Sequence, residues 1–307
     1  MAFDHRTGVL RGSRSFGERE SPVRRGTGVI LLARISEVGH SWTFMKFTFS
    51  YLLTALALLP FTPAQSQSKN EIPPELLLGI EKAYETEDYD KVIELTGDVA
   101  EDKDGRLVMA RAAAFQRRGE EKFFASDIKG SIKDFDQYLK IVQEQEPHHW
   151  QRGLAYYYAG EYEKGVAQFE QHQTVNSQDV ENAVWHFLCV VRAPGGDFEK
   201  AQSKLIPIEG DSRIPMKEVH NLFAGKGTVE QVLEAAGGPV EEGEEVTGRD
   251  RNHLCYAHLY LALYYETKGE DAKVKEHIDL AANRYRMDHY MGKTAQVHAK
   301  LRGVELK

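Results

Sequence analysis

Residues Arg152–Phe169 read RGLAYYYAGEYEKGVAQF. An Arg-Gly pair, a Tyr three positions after the Gly, a Gly turn, another Tyr and a Phe follow one another, and the order recurs. At an offset of 34 (152 minus 118), Arg118-Gly119 falls on Arg152-Gly153 and Phe123-Phe124-Ala125 on Tyr157-Tyr158-Ala159. In the same register Ile128 meets Tyr162, Ile132 meets Val166, and Phe135-Asp136-Gln137 meets Phe169-Glu170-Gln171. Gly196-Asp197-Phe198-Glu199-Lys200-Ala201 repeats Gly160–Gly165 at an offset of 36, and Tyr264-Tyr265 followed by Gly269-Glu270-Asp271 carries the theme to the far end. Ala83-Tyr84 with Asp88-Tyr89-Asp90-Lys91 begins it. Self-similarity at this period marks an array of helix–turn–helix units.

The residue types suit such an array. Gly119, Gly153, Gly165, Ala201 and Ala262 are expected where helices cross closely, and Tyr156, Tyr162, Phe169, Phe198 and Ile278 fill the gaps between them. A Gly followed by an acid at the turn frees the backbone and then places negative charge near the next helix start. One unit cannot bury its own apolar face, so neighbours must stack. The pattern predicts helix pairs over 76–86 and 89–99, 106–117 and 129–145, 150–159 and 162–173, 179–191 and 198–205. A compact pair over 215–223 and 228–236 follows, with Thr228 as N-cap, then an acidic loop over 237–249. The last pair covers 252–267 and 271–284, and a capping helix covers 290–301. No strand pattern is present.

The period is that of tetratricopeptide repeats. The predicted fold is all-α, a right-handed TPR-type solenoid of five to six units over 76–303 with a C-terminal capping helix. Four stretches resemble the NlpI-type TPR proteins of the bacterial cell envelope: RGLAYYYAGEYEKGVAQFEQ, ENAVWHFLCVVRA with its GDFEKA turn, MKEVHNLFAGKGTVEQVLEAA, and HLYLALYYETKGEDAKVKEHIDLAA. The resemblance spans roughly 106–303. It implies an adaptor that brings envelope proteases and cell-wall hydrolases together, often as a homodimer. That family is typically lipid-anchored through a Cys after its signal. Here no Cys follows the apolar run, which implies a soluble exported form.

From Met45 the chain reads MKFTFSYLLTALALLPFTPAQSQSKNE. A basic start, an apolar run over 47–59 and small residues at Ala64 and Ser66 make a secretory signal over 45–66, cleaved before Gln67. Residues 1–44, rich in Arg, Gly and Ser, are expected to be an upstream start or a disordered leader, 67–75 a linker and 304–307 a tail. Residues 1–66 carry 8 Lys and Arg against 4 Asp and Glu, which leaves 31 against 43 in the rest. A body with a net charge of −12 is a poor coat for phosphate backbones, so no nucleic-acid partner is expected. Cys189 and Cys255 have neither metal nor framework spacing and are expected to be free, buried thiols.

Twelve histidines invite a search for a site. His148-His149, His253 with His258, and His289 with His298 all lack the i, i+3 or i, i+4 spacing that puts two rings on one helix face. Neither HExxH nor GxSxG occurs, and Gly225-Lys226-Gly227-Thr228 lacks the upstream glycine of a phosphate loop. No catalytic residue, metal or cofactor is expected.

The repeat register instead turns one side chain set toward the groove of the array. These are Trp150, Leu154 and Tyr157 in the third unit, Gln116, Glu120 and Phe123 in the second, and His186 and Val190 in the fourth. Aromatics there suit recognition of a peptide or helix, and packing between repeats is the plainer role for each one. The resulting expectation is an exported scaffold that binds proteins through its groove. A periplasmic module for a small ligand or glycan strand and a self-assembling structural subunit remain open beside it.

Overall fold

The computed structural model describes residues 72–97, 105–238, 240–241 and 243–307. The leader over 1–44, the signal over 45–66 and most of the linker lie outside the described residues. What is described is all-helical, with no strand among those residues. The helices come in antiparallel neighbours: α1 (Pro74–Glu85) with α2 (Tyr89–Leu95), α3 (Arg106–Phe124) with α4 (Ile128–Ile141), and α5 (Trp150–Ala159) with α6 (Tyr162–Gln173). Next come α7 (Val180–Arg192) with the short α8 (Phe198–Ser203), then α9 (Met216–Phe223) with α10 (Val229–Ala235). α11 (Gly248–Lys268) pairs with α12 (Asp271–Asp279), and α13 (Tyr290–Leu301) ends the order.

Local chemistry sets these boundaries. Asp88, Asp127 and Asp197 each accept a backbone N–H three positions on, which starts α2, α4 and α8. Thr228 and Gln231 form a reciprocal capping box on α10. Gly160 (φ 77°) and Gly269 (φ 71°) close α5 and α11 in the left-handed region that glycine enters freely.

Several predicted boundaries move: α2 ends at Leu95 rather than 99, α8 at Ser203 rather than 205, and α11 starts at Gly248, inside the expected loop. α3 runs through Gly119 to Phe124, because that glycine lies inside the helix: a Cβ there would stand 2.7 Å from the Phe135 ring. α4 stops at Ile141, and the chain continues as a 3-10 turn over Gln143–His148 that contains Pro147, which has no N–H to continue a helix ladder.

The sequence register is also a register of contacts. Gly119 lies under Phe135 and Gly153 under Phe169, where a Cβ would come within 2.6 Å of the ring. Arg118 Nε donates to Asp134 Oδ2 (2.7 Å), and one period on Arg152 Nε donates to Gln168 Oε1 (2.8 Å). The glycines permit close helix crossing, and each ring fills the gap it leaves. One core runs from Phe123 to Ala299 and contains Trp185, Tyr260, Phe135, Phe169, Phe187 and Phe223 with almost no exposure. A smaller one joins α1, α2 and the start of α3 through Ile80, Ala83, Val92, Leu107, Ala110 and Ala114.

α13 does more than cap the end. It packs on α11 and α12, as a capping helix would, and also reaches back to α3. Met291, Thr294, Ala295, Val297, His298 and Ala299 are buried, and Lys293, Gln296 and Lys300 leave only a narrow polar stripe.

Candidate functional site: the face beneath the C-terminal helix

The residues that the register turns to one side are brought together, and the chain itself covers them. Leu154, Tyr157, Phe123, His186 and Val190 are all buried, so the expectation that they face an open groove is corrected. The cover is α13. The Tyr290 ring sits 4.7 Å from Trp150, 4.8 Å from Phe124 and 6.1 Å from Phe123, centroid to centroid. Lys293 lies 5.1 Å from the centre of the Phe124 ring. Further along the helix, His298 Nδ1 and the Tyr158 hydroxyl share a hydrogen bond of 3.1 Å. Tyr157 and Tyr158 both pack on Trp185, at 5.3 and 5.9 Å.

Gln116 and Glu120 hold the α3 edge of this face through polar contacts. His149 Nε2 donates to Gln116 Oε1 (2.7 Å), and Gln116 Nε2 donates to Glu120 Oε1 (3.1 Å). Burial raises the Glu120 pKa, opposed by the Arg117 guanidinium 3.2 Å away. His149 Nδ1 accepts the Arg152 N–H and so caps α5. With one nitrogen donating and the other accepting, the ring is a neutral tautomer. Burial first, and the nearby Arg152 second, push its pKa down to about 3. His186 faces Glu170 at 3.4 Å, with its pKa lowered by burial, and its Nδ1 has no partner.

At the other end the buried Glu266 gathers two cations. Arg192 Nη2 reaches Oε1 at 2.9 Å, and Arg302 pairs with the same oxygen. His298 Nε2 lies 3.3 Å from Oε2, outside hydrogen-bond alignment. Burial, then Arg302 and Arg192, hold the His298 pKa well below its ordinary value. Trp185 Nε1, Tyr260 OH and Tyr290 OH are also buried without a hydrogen-bond partner in the protein. Tyr158, Tyr290, His298 and Glu266 were not assigned to this face from the sequence. For Tyr290 and His298 the signal was α13 itself, whose residues leave only a narrow polar stripe of Lys293, Gln296 and Lys300.

A second polar cluster lies at the start of α7. Arg213 meets Asp179 (2.6 Å), Asp211 (2.6 Å) and Glu181 (3.4 Å), three carboxylates around one guanidinium. Burial raises the Glu181 pKa to about 7, against the pull of Arg213. This cluster ties the connection before α9 to the α7 N-terminus, where Asp211 also accepts the Val180 N–H.

A shallow concavity of about 380 Å³ between α4 and α5 is lined by Lys133, Asp136, Lys140, Glu146 and Arg152. The Arg152 guanidinium there is already engaged by Asp136, Glu146 and Gln168. Both cysteines are free and buried, and burial pushes the Cys255 thiol up to about 12 and the Cys189 thiol further in the same direction. Neither is a thiolate nucleophile near neutral pH. Among the described residues no group of three or more His, Cys, Asp or Glu side chains is placed to hold a metal ion. Among the same residues no helix is long and apolar enough to cross a membrane. No family model and no curated protein matches the chain.

Proposed function

We propose that this chain is an exported TPR-type scaffold, a right-handed solenoid that holds other proteins of a bacterial cell envelope. The observation that carries the reading is a helix seated on the repeat face. α13 lies against Phe123 and Trp150, which the repeat register assigns to one side of successive units, and against their neighbours Phe124 and Tyr158. A face that accepts one amphipathic helix has the shape and chemistry to accept another. Its anchors are aromatic, which favours helices that carry an aromatic residue, and the carboxylates at its two ends, Glu120 and Glu266, are already paired with Arg117 and with Arg192 and Arg302. Envelope proteases and cell-wall hydrolases are the partners that the NlpI resemblance suggests.

The test is capture of residues 67–307 cross-linked in the native envelope, read by mass spectrometry. It is run with the unaltered chain and with Tyr290→Ala, which loosens the seat of α13. The scaffold reading expects the same protein or proteins from both, with higher yield from Tyr290→Ala. Recovery of the chain alone from both would sink it.

A further inference from the structure

Two histidines hold α13 in place: His289 does so only as a neutral ring, and His298 sits where a charged ring is disfavoured. His289 is its N-cap: Nδ1 accepts the Gly292 N–H (3.1 Å) while Nε2 donates to Asn252 Oδ1 (2.7 Å). The ring also stacks on Tyr256, 5.2 Å between centroids. Protonation puts a hydrogen on Nδ1 and removes the cap acceptor. Further down the same helix, His298 Nδ1 shares a hydrogen bond with the Tyr158 hydroxyl, and the ring is fully buried beside Arg192 and Arg302, where a second proton would be added without solvent.

The surroundings oppose both protonations. His298 faces Tyr158 of α5, Glu266 of α11, Arg192 of α7 and its own helix's Arg302. One carboxylate against two guanidiniums already leaves a positive excess, to which an imidazolium would add. Around His289 stand Asn252 and Tyr256 of α11 and the adjacent Asp288. Glu181 and Arg213 lie behind Tyr256, and the Glu120–Arg117 pair of α3 faces the neighbouring Tyr290. Asp288 favours the charged ring, but burial outweighs it. Both rings are therefore neutral when α13 is seated and are free to charge when it is not.

The hold on the stretch after α13 is light. The tail beyond it is tied by exposed bonds, from Asn283 Nδ2 to the Glu305 carbonyl (2.9 Å) and from the Lys307 N–H to Asn283 Oδ1 (2.8 Å), and by the half-buried Val304 and Leu306. Local opening of one helix costs less than global unfolding.

We propose that α13 is a proton-operated plug: the neutral rings of His289 and His298 seat it on Phe123, Trp150 and Tyr158, and their protonation releases it and opens that face to an amphipathic helix of another protein. The partner half rests on the scaffold reading; the release does not. For each ring with an open-state pKa near 6.5 that stays neutral when closed, lowering the pH from 7.5 to 5.5 favours the open state about 10-fold. Two rings give about 100-fold.

The test is hydrogen exchange of the full chain at pH 7.5 and 5.5, corrected for the intrinsic rate, read on peptides from 290–301 and from α5 and α6. The plug predicts a loss of protection in 290–301 approaching about 100-fold and much larger than in α5 and α6. The double variant His289→Asn, His298→Gln keeps a cap acceptor and cannot charge, so its 290–301 protection should change by only a few-fold. Equal losses in all three helices, or an undiminished pH effect in the double variant, would overturn the proposal. Should the double variant not fold, imidazole NMR of the unaltered chain decides: both rings must titrate as 290–301 opens. A His298 still neutral at pH 5.5 in a protected helix overturns it. Release of α13 with no protein captured would support the plug and count against the scaffold.

Discussion

His149 offers the sharpest check on the energetics of this core. Its ring caps α5 through Nδ1, donates to Gln116 through Nε2, and packs on Phe135 at 4.6 Å and Tyr138 at 5.4 Å. Burial pulls its pKa from 6.5 to about 3. The sign follows from the neutral form being the one the fold keeps. Above pH 6.5 the ring is neutral both folded and unfolded, and its contribution is complete. Below 6.5 the unfolded chain takes up a proton that the folded one refuses, so stability drains away down to about pH 3. At pH 5 the difference spans about 1.5 pH units, or about 2 kcal/mol at about 1.36 kcal/mol per unit. Glu181, raised to about 7, works in the opposite direction and returns a similar amount over the same range, so the total pH profile alone does not isolate His149. The comparison to make is urea unfolding of the unaltered chain and His149→Asn at pH 7.5 and 5.0. Asn keeps a cap acceptor and loses the ring, so the variant is less stable at pH 7.5. Its further loss on acidification should be smaller than that of the unaltered chain by about 2 kcal/mol. Equal losses in the two proteins would refute the neutral, buried ring.

Three further outcomes follow from the packing. Gly153→Ala and Gly119→Ala push a methyl to within 2.6 and 2.7 Å of the Phe169 and Phe135 rings, and each should destabilise by about 1–3 kcal/mol. Gly248→Ala, with nothing within 4 Å of the added Cβ, should be neutral or slightly stabilising, and thermal unfolding of the three variants checks the contrast. Glu266→Gln leaves Arg192 and Arg302 without their shared carboxylate and should cost about 3 kcal/mol in chemical denaturation. Cys189 and Cys255 should react with a thiol reagent only as fast as the chain opens, so labelling rates in native buffer should rise with urea. Fast labelling without denaturant would contradict their burial.

Much of the fold was legible because the repeat fixes it locally. α5, α6 and α13 begin and end where the Gly turns and apolar spacing placed them. Two of the misread boundaries have one cause each. Gly119 is expected as a close-crossing residue, which its contact with Phe135 of the next helix bears out, but the predicted helix ends before it although the glycine lies in its interior. The stretch after Ile141 keeps a helical composition, and only Pro147 and the return of the chain toward α5 end the regular ladder. Glu87 (φ 55°) and Ser126 (φ 70°) take the left-handed turn position that Gly160 fills in the third unit, so a search for glycine alone underestimates how often the turn recurs.

The site was half legible for a deeper reason. A period assigns side chains to a face but says nothing of what lies on that face, because the cover comes from a segment outside the period. Here the cover on Trp150 comes from Tyr290, in the last described helix, and the composition of that helix was the clue. Met291, Ala295, Val297, His298 and Ala299 would be poor choices for a cap with one side in water, and they are buried. Once α13 is counted as part of the face, its histidines change meaning. Their spacing is wrong for a metal, but each is right for holding a helix: one caps its first turn, and the other meets a tyrosine hydroxyl beside a crowded cluster of charge. A permanent seal would need no titratable group at either place, since an Asn cap and an apolar ring would serve at every pH. Two imidazoles at the two ends of one terminal helix make the seal conditional on acidity, and that condition is what the exchange experiment reads.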